Sequence, residues 1–379
     1  MAQQQIEEVR AIDAIAGPTF TSDTPVATDI KAIEQAAPSA SLQDDIETKE
    51  ITFATTFREI AEMWTKGELA RRFPAYIKKK RSCYADDRRL SKYAIPVIGD
   101  VPIGNFTASD GTALASRVSV QMSKLNPNLR TASIRHVLQA VATVLKMSVY
   151  PLGVLPSYPL PEGFIPPPGD KKAKAYLYPS EEKALLACTK IPVEWRLAIG
   201  ILTREGMRIS ELLGLEWSDV DLDAGLLSLD ENKTDDPRSW ALDPSVVQAL
   251  RRWKEMLKRD ALATSKIAVH PMSGRTLTPE HAAVRLRKYA RLAGIDRPQL
   301  YEKSEKRIPL RAHDLRGTFV TVSLAQGRTE SWVADRTGHG SSDMIQTYKR
   351  PARSFKEVNL GPLAPLHESI PELAGMTET

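Results

Sequence analysis

Seven prolines between residues 151 and 170 (Pro151, Pro156, Pro159, Pro161, Pro166, Pro167 and Pro168) constrain this chain more than any other feature. Each ring removes an amide donor and disfavours helix at the residue before it, so no regular element can run through the segment. The chain is therefore expected to fold as two domains joined by an extended linker over residues 156–172. Residues 51–155 form one domain, residues 173–355 the other, and residues 356–379 a C-terminal tail. At 379 residues there is enough chain for each domain to bury its own core.

Residues 1–50 are different in kind. They are rich in Ala, Ser, Thr, Asp and Gln, with Phe20 as their one aromatic residue. Such a segment cannot bury enough apolar surface to offset its ordering entropy, so it is read as disordered, with at most a short helix near 4–15. It carries ten acids and three bases (Arg10, Lys31, Lys49), a net of −7. The whole chain is +5, which leaves +12 on everything after residue 50. A basic body behind an acidic head suggests a polyanionic partner.

Other function classes recede on composition. No apolar run approaches the roughly 18–20 residues of a membrane span, and the N-terminus lacks a basic region followed by an apolar one. The expectation is a cytoplasmic protein with no membrane contact. Cys83 and Cys188 are too far apart in sequence to suggest a metal site or a disulfide framework. No metal and no cofactor are expected.

The first domain reads as all-helical. Phe57, Ile60, Ala61 and Trp64 fall at helical spacing, and Thr107 to Asp110 can cap a helix running to about Leu125. A further helix from Thr131 to about Ser148 places Ile134, Val137, Leu138, Val141, Val144 and Leu145 on one face. Between Arg71 and Lys92 lie nine bases against Asp86 and Asp87, interleaved with Phe73, Tyr76, Tyr84 and Tyr93. Ile98 to Ile103 reads as a turn.

In the second domain, residues 180–189 and 193–203 are apolar enough for buried helices. Leu226 to Leu229 and Ser239 to Leu242 read as two strands joined by a polar turn, Asp230 to Arg238. Helices are expected near 244–260, 278–293, 314–325, 329–336 and 342–350. The fold class is mainly α with a small β-hairpin or sheet, making the second domain α+β.

The chemistry concentrates in that domain. Arg208 stands in Gly206-Met207-Arg208-Ile209-Ser210-Glu211-Leu212, near a predicted helix N-terminus where an anion is favoured; its ordinary alternative is an ion pair with Glu211. His313 and Arg316 are three apart and share a helix face. A planar guanidinium can bridge two phosphate oxygens, and a histidine beside it can donate a hydrogen bond or move a proton. Gly338-His339-Gly340 is a tight turn leading into a helix that holds Tyr348. An ordinary phenol, with a pKa of about 10, is a weak nucleophile unless cations and a bound phosphate ease its deprotonation. Lys233, in the polar turn, is either a solvated hairpin lysine or a reach to a bound backbone.

Together Arg208, Lys233, His313-x-x-Arg316, Gly338-His339 and Tyr348 resemble the tyrosine recombinase (phage integrase) pattern. The intervals from Arg316 to His339 and from His339 to Tyr348 suit it as well. The resemblance covers residues 177–350 and, more loosely, extends to 53–155 as a helical core-binding domain. It implies a two-domain, C-shaped clamp on double-stranded DNA. Arg208 and Arg316 would hold the scissile phosphate, Tyr348 would attack it to form a 3′-phosphotyrosine, Lys233 with His313 would assist protonation of the departing 5′-oxygen, and His339 would hydrogen-bond the phosphate. Rejoining would need neither ATP nor metal. The implied protein is a site-specific recombinase or integrase of a phage or other mobile element, acting as a homotetramer on synapsed DNA, with accessory DNA-bending proteins as further partners. A tail such as Ser354–Val358 followed by Leu363–Leu373 would dock on a neighbouring protomer. The rival readings are a type IB-like topoisomerase or resolvase and a non-catalytic DNA-binding relative.

Overall fold

The computed structural model describes residues 50–78, 83–125, 131–169, 172–230, 237–259, 265–339 and 342–375. Within it Thr52–Thr379 is one compact unit. The expectations of a disordered head and of a short helix near 4–15 fall outside the described residues, as does Lys233.

Helix α1 (Phe57–Thr65) opens on a capping box. Thr56 Oγ1 accepts from the Glu59 amide at 3.3 Å and Glu59 Oε2 accepts from the Thr56 amide at 2.8 Å. Its predicted face is buried: Phe57, Ile60, Ala61 and Trp64, joined by Met63. Part of the basic stretch forms α2 (Glu68–Arg72) and α3 (Cys83–Arg89). From α3 the chain passes through a π-helical turn, Leu90–Ala94, into α4 (Ile95–Ile98). The wider turn precedes Pro96, whose ring a regular α-helix would press against the carbonyl four residues back. The long helices α5 (Ala108–Leu125) and α6 (Thr131–Val149) complete this set, with Val137, Leu138, Val141, Val144 and Leu145 in its core.

The proline-rich segment is irregular, as its rings require, but it is not a free spacer. Val154, Leu155 and Leu160 are buried, and Arg135 Nη1 donates to the Pro166 carbonyl. Leu160 and Phe164 sit against the bare Cα of Gly111 on α5, where a Cβ would overlap Leu160.

The remaining elements surround α8 (Val193–Glu205), which is buried from Glu194 to Glu205 and follows α7 (Pro179–Ala187). After α9 (Ile209–Gly214) come β1 (Val220–Asp221), β2 (Leu226–Leu229) and β3 (Arg238–Ala241), an antiparallel sheet in order β1-β2-β3. Leu227 pairs with Trp240, and Leu229 with Arg238. The strand β1 extends the predicted hairpin to three strands, and Arg238 belongs to β3 rather than to the turn. Then follow α10 (Pro244–Arg259), α11 (Ala282–Leu292), α12 (Ala312–Ala325), α13 (Glu330–Thr337) and α14 (Ser342–Glu357). Helix α14 runs past the expected end and through Pro351. Helix α12 packs on both α8 and α14.

The described end of the chain, α15 (Leu366–Ser369) and α16 (Pro371–Ala374), packs on the chain's own second set of elements. Leu366, Ile370 and Leu373 are fully buried, with Leu366 over the bare Cα of Gly200. Arg196 pairs with Glu372, Arg204 Nη2 donates to the Ala364 carbonyl at 2.5 Å, and Arg252 Nη1 donates to that of Leu373 at 3.1 Å. Three apolar anchors and three guanidinium contacts hold it there. Among the described residues no helix is long and apolar enough to cross a membrane.

Candidate active site

Five of the six candidate residues lie in described parts of the chain, and they converge. Arg208 precedes α9 at the turn where α8 ends. Gly206 makes that turn with φ +65°, in the left-handed region, and a Cβ there would run into the Phe319 ring. Met207 and Leu212 are buried on either side, which fixes the backbone from which Arg208 projects.

The anion expected at the start of α9 is one the protein supplies itself. Glu211 accepts the Arg208 amide at 2.7 Å on Oε2 and Arg208 Nη1 at 2.5 Å on Oε1. Its Oε2 also accepts Arg238 Nη2 at 2.7 Å. One buried carboxylate thus orients two guanidiniums from different elements. The ordinary alternative for Arg208, a bond to Glu211, is present, and it serves to aim the arginine.

Arg316 is held by two carbonyls. Nη1 donates to the Gly206 carbonyl at 2.9 Å and Nη2 to the Thr337 carbonyl. The latter also accepts Arg238 Nη1 at 3.4 Å. Thr337 is the last residue of α13, where the carbonyl end of the helix dipole favours cations. Gly338, at φ +60°, turns the chain out of the helix, and a Cβ there would overlap Arg238 Nη1. Burial, reinforced by Arg208, holds the Arg316 guanidinium down to a pKa of about 10.

Past Gly338 comes His339. Its Nδ1 lies 2.9 Å from Thr337 Oγ1, and that hydroxyl donates to the Val333 carbonyl at 2.6 Å. With its one proton committed there, the hydroxyl accepts from Nδ1–H, leaving Nε2 as an acceptor. Burial first, then Arg316 and Arg208, hold the His339 pKa down to about 4. His313, on α12, is also lowered, by desolvation and then by Arg316. Both histidines are therefore neutral at pH 7.

Tyr348 is 7% exposed and packs with Phe319, Val320, Val333 and Ile345. Its ring lies over Gly317, the residue after Arg316. A Cβ at that position would stand 3.0 Å from Tyr348 Cε1 and 3.6 Å from its hydroxyl. A phenol, two oriented guanidiniums and two neutral imidazoles thus belong to one chain. Their chemistry is that of a phosphodiester site: cations for the phosphate oxygens, a nucleophile, and groups able to pass a proton. Among the described residues no cluster of His, Cys, Asp and Glu could hold a metal ion.

The family model of the phage integrase family matches residues 175–354. These residues belong to the phage integrase family, the tyrosine recombinases. The integrase-family domain is 31% identical over 170 residues to the tyrosine recombinase XerD of Proteus mirabilis, covering 44% of this chain and 50% of that protein. It is 25% identical over 154 residues to XerC of Xanthomonas axonopodis pv. citri, covering 40% and 45%. The chain thus spans about half the length of the curated relatives it matches. Its fold is that of a lambda integrase dimer bound to a COC′ core site, with a TM-score of 0.56, 17% identity and coverage of 78% and 77%. The Tn1549 transposon integrase in complex with a circular intermediate DNA gives 0.57, 18%, and coverage of 79% and 99%.

In this integrase-family domain the motif residues were visible in the sequence, but their support was not. Glu211 was visible only as a near neighbour of Arg208 on the same helical turn. Arg238, on a separate element far along the chain, and the Thr337 carbonyl carry no local signal.

Proposed function

We propose that this protein is a site-specific DNA recombinase, an integrase of a phage or other mobile element, that cuts and rejoins strands through a 3′-phosphotyrosine link. The observation that carries the reading is the placement of Tyr348 over Gly317, beside Arg316, in the chain that also supplies Arg208, His313 and His339.

Arg208 and Arg316 bind the non-bridging oxygens and stabilise the charge that grows on them. Tyr348 Oη attacks phosphorus in line as the bond to the 5′-oxygen breaks. The phenol proton passes to solvent, and the departing oxygen takes a proton from Lys233 assisted by His313. The ester energy stays in the phosphotyrosine, so a 5′-hydroxyl from another strand reverses the step without ATP. His339 bonds the phosphate once Nε2 carries a proton, either by protonation or by reversal of the Thr337 hydroxyl.

Double-stranded DNA is the proposed partner, gripped by the basic helical domain 51–155 and the catalytic domain 173–355 across residues 156–172. The family match, which starts at residue 175, supports that division. A homotetramer on synapsed sites, with accessory bending proteins, completes the proposal. The fold is shared with a lambda integrase tetramer bound to a Holliday junction, at a TM-score of 0.57 and 16% identity.

The test is covalent capture. Full-length protein is incubated with a randomised library of nicked duplexes and run on a denaturing gel. Wild type is expected to form an adduct that Tyr348→Phe loses while still binding duplex; undiminished adduct in the variant sinks the assignment.

A further inference from the structure

The motif residues do not account for every cation at the tyrosine. Lys174 lies immediately before the residues matched by the phage integrase family, at the opposite end of them in sequence from Tyr348. Its Nζ lies 5.2 Å from the centre of the Tyr348 ring. Among the described residues no carboxylate pairs with it.

Its backbone is well anchored. The Ala173 amide donates to the Lys306 carbonyl at 2.8 Å, and the Ile308 amide to the Ala173 carbonyl at 3.1 Å. The Leu177 amide donates to Thr318 Oγ1 on α12 at 3.0 Å. In an extended segment alternate side chains face opposite ways. Ala175 and Leu177 are buried in the core. Tyr176 and Tyr178 meet the Phe355 ring at 5.5 and 5.6 Å. Phe355 and Tyr348 are seven apart on α14 and so share a face, which Lys174, Tyr176 and Tyr178 cover together. The charge of Lys174 also reaches the imidazoles of His313 and His339.

We propose that Lys174 is a further active-site residue, whose ammonium binds the scissile phosphate on the side from which the tyrosine enters and stabilises negative charge there during attack. The inference rests on the recombinase reading above. In-line displacement puts nucleophile and leaving oxygen on opposite sides of phosphorus. A cation on the face of the tyrosine is therefore on the wrong side to protonate the 5′-oxygen. It acts on the entering phenolate oxygen and the phosphate oxygens, leaving the proton to Lys233 and His313.

The experiment uses the nicked duplex recovered from wild-type adducts, made with either a 5′-oxygen or a 5′-sulfur at the leaving position, because a thiolate leaves without a proton donor. Single-turnover adduct formation and duplex affinity are measured for wild type, Lys174→Met, Lys174→Arg and Lys233→Ala. Methionine keeps the apolar stem over the ring and removes the charge. Lys174→Met is expected to slow adduct formation by about 10–100-fold, on the scale of one electrostatic contact to the transition state. It is expected to bind duplex within about threefold of wild type, because one phosphate contact among many is lost. Lys174→Arg is expected to recover most of the rate, and the 5′-sulfur to rescue Lys233→Ala but not Lys174→Met.

Wild-type rates for Lys174→Met would overturn the inference. So would equal losses for Met and Arg with matching thermal destabilisation, which would mark a packing role, or rescue of Lys174→Met by sulfur, which would mark a proton donor. A wild type that forms no Tyr348 adduct on any duplex overturns the recombinase reading itself.

Discussion

Glu211→Gln is the substitution that most directly tests how the guanidiniums are aimed. The carboxylate receives Arg208 Nη1 on one oxygen and both the Arg208 amide and Arg238 Nη2 on the other, all within 2.5–2.7 Å. Glutamine keeps the shape and one acceptor. Facing its oxygen toward the two donors turns its NH₂ against Arg208 Nη1, donor to donor. One charge-assisted bond is lost outright, and the negative charge amid Arg208, Arg238 and Arg316 disappears. Removing one partner from a buried pair costs about 3–5 kcal/mol. The Arg208 side chain is 20% exposed, so water takes up part of the loss. The lower end, about 3 kcal/mol, is therefore expected, a drop in Tm of roughly 6–12 °C for a domain of this size.

The assay is thermal unfolding of the full chain, followed by adduct formation on a nicked duplex. Inorganic phosphate should raise the Tm of Glu211→Gln more than that of wild type, because an anion binding between the freed guanidiniums adds stability in proportion to its occupancy. Adduct formation should fall by about 10–100-fold, on the scale of losing one transition-state contact. A variant within about 0.5 kcal/mol of wild type, the range of an ordinary surface substitution, would refute the reasoning. It would mean that Arg208 and Arg238 are held by something other than this carboxylate.

Gly338→Ala forces a side chain into a left-handed φ and pushes Arg238 from the Thr337 carbonyl; adduct formation should drop at least about tenfold with stability lowered by only about 1–2 kcal/mol, measured by gel and thermal melt. Glu205, buried between the Trp240 indole N–H at 2.8 Å, the Asp243 amide at 2.8 Å and Arg336 at 3.3 Å, has its pKa pushed up to about 7 by burial. A raised carboxyl pKa contributes stability that is fully present below the unfolded value near 4.5 and is lost as pH rises through 7. Urea unfolding between pH 4.5 and 7.5 should therefore show wild type losing stability relative to Glu205→Gln as pH rises, and parallel curves would refute the assignment.

What could be read from the chain follows from how locally each feature is encoded. Phe57, Ile60, Ala61 and Trp64 recur at helical spacing, so α1 and its buried face were visible. His313 and Arg316 share a turn, and β2 with β3 follow from two apolar runs around a polar one. The strand β1 is very short and exists because Val220 and Asp221 meet Leu227 and Leu226, a pairing with no local pattern. The linker's packing is likewise a matter of shape: Leu160 is buried because Gly111, on a helix well before it in sequence, leaves a space for it. Leu366, Ile370 and Leu373 find their cover on α8 and α10, which carry Gly200 and Arg196, and Arg252, respectively, a packing with no local pattern to announce it.

The site itself divides in the same way, and for a physical reason. Groups that do chemistry must have particular side chains, so the residues proposed for it, Arg208, His313, Arg316, His339 and Tyr348, stand out in the sequence. Groups that aim them need only a carbonyl, a carboxylate or an absent Cβ at the right place. The Gly206 and Thr337 carbonyls fix Arg316, yet any residue carries a carbonyl; Gly317 serves by having nothing where the Tyr348 ring must lie. The cations so gathered also set the state of the imidazoles. Arg316, Arg208 and Lys174 add to burial in holding His339 neutral, and the Val333–Thr337–His339 chain of hydrogen bonds leaves its Nε2 lone pair as an acceptor. A phosphodiester placed among these guanidiniums would cancel part of the field that keeps the proton off Nε2, raising the His339 pKa toward its ordinary value. An anion bound by Arg208 and Arg316, as proposed, would then convert His339 into a donor to it, so that phosphate recognition and protonation would reinforce one another.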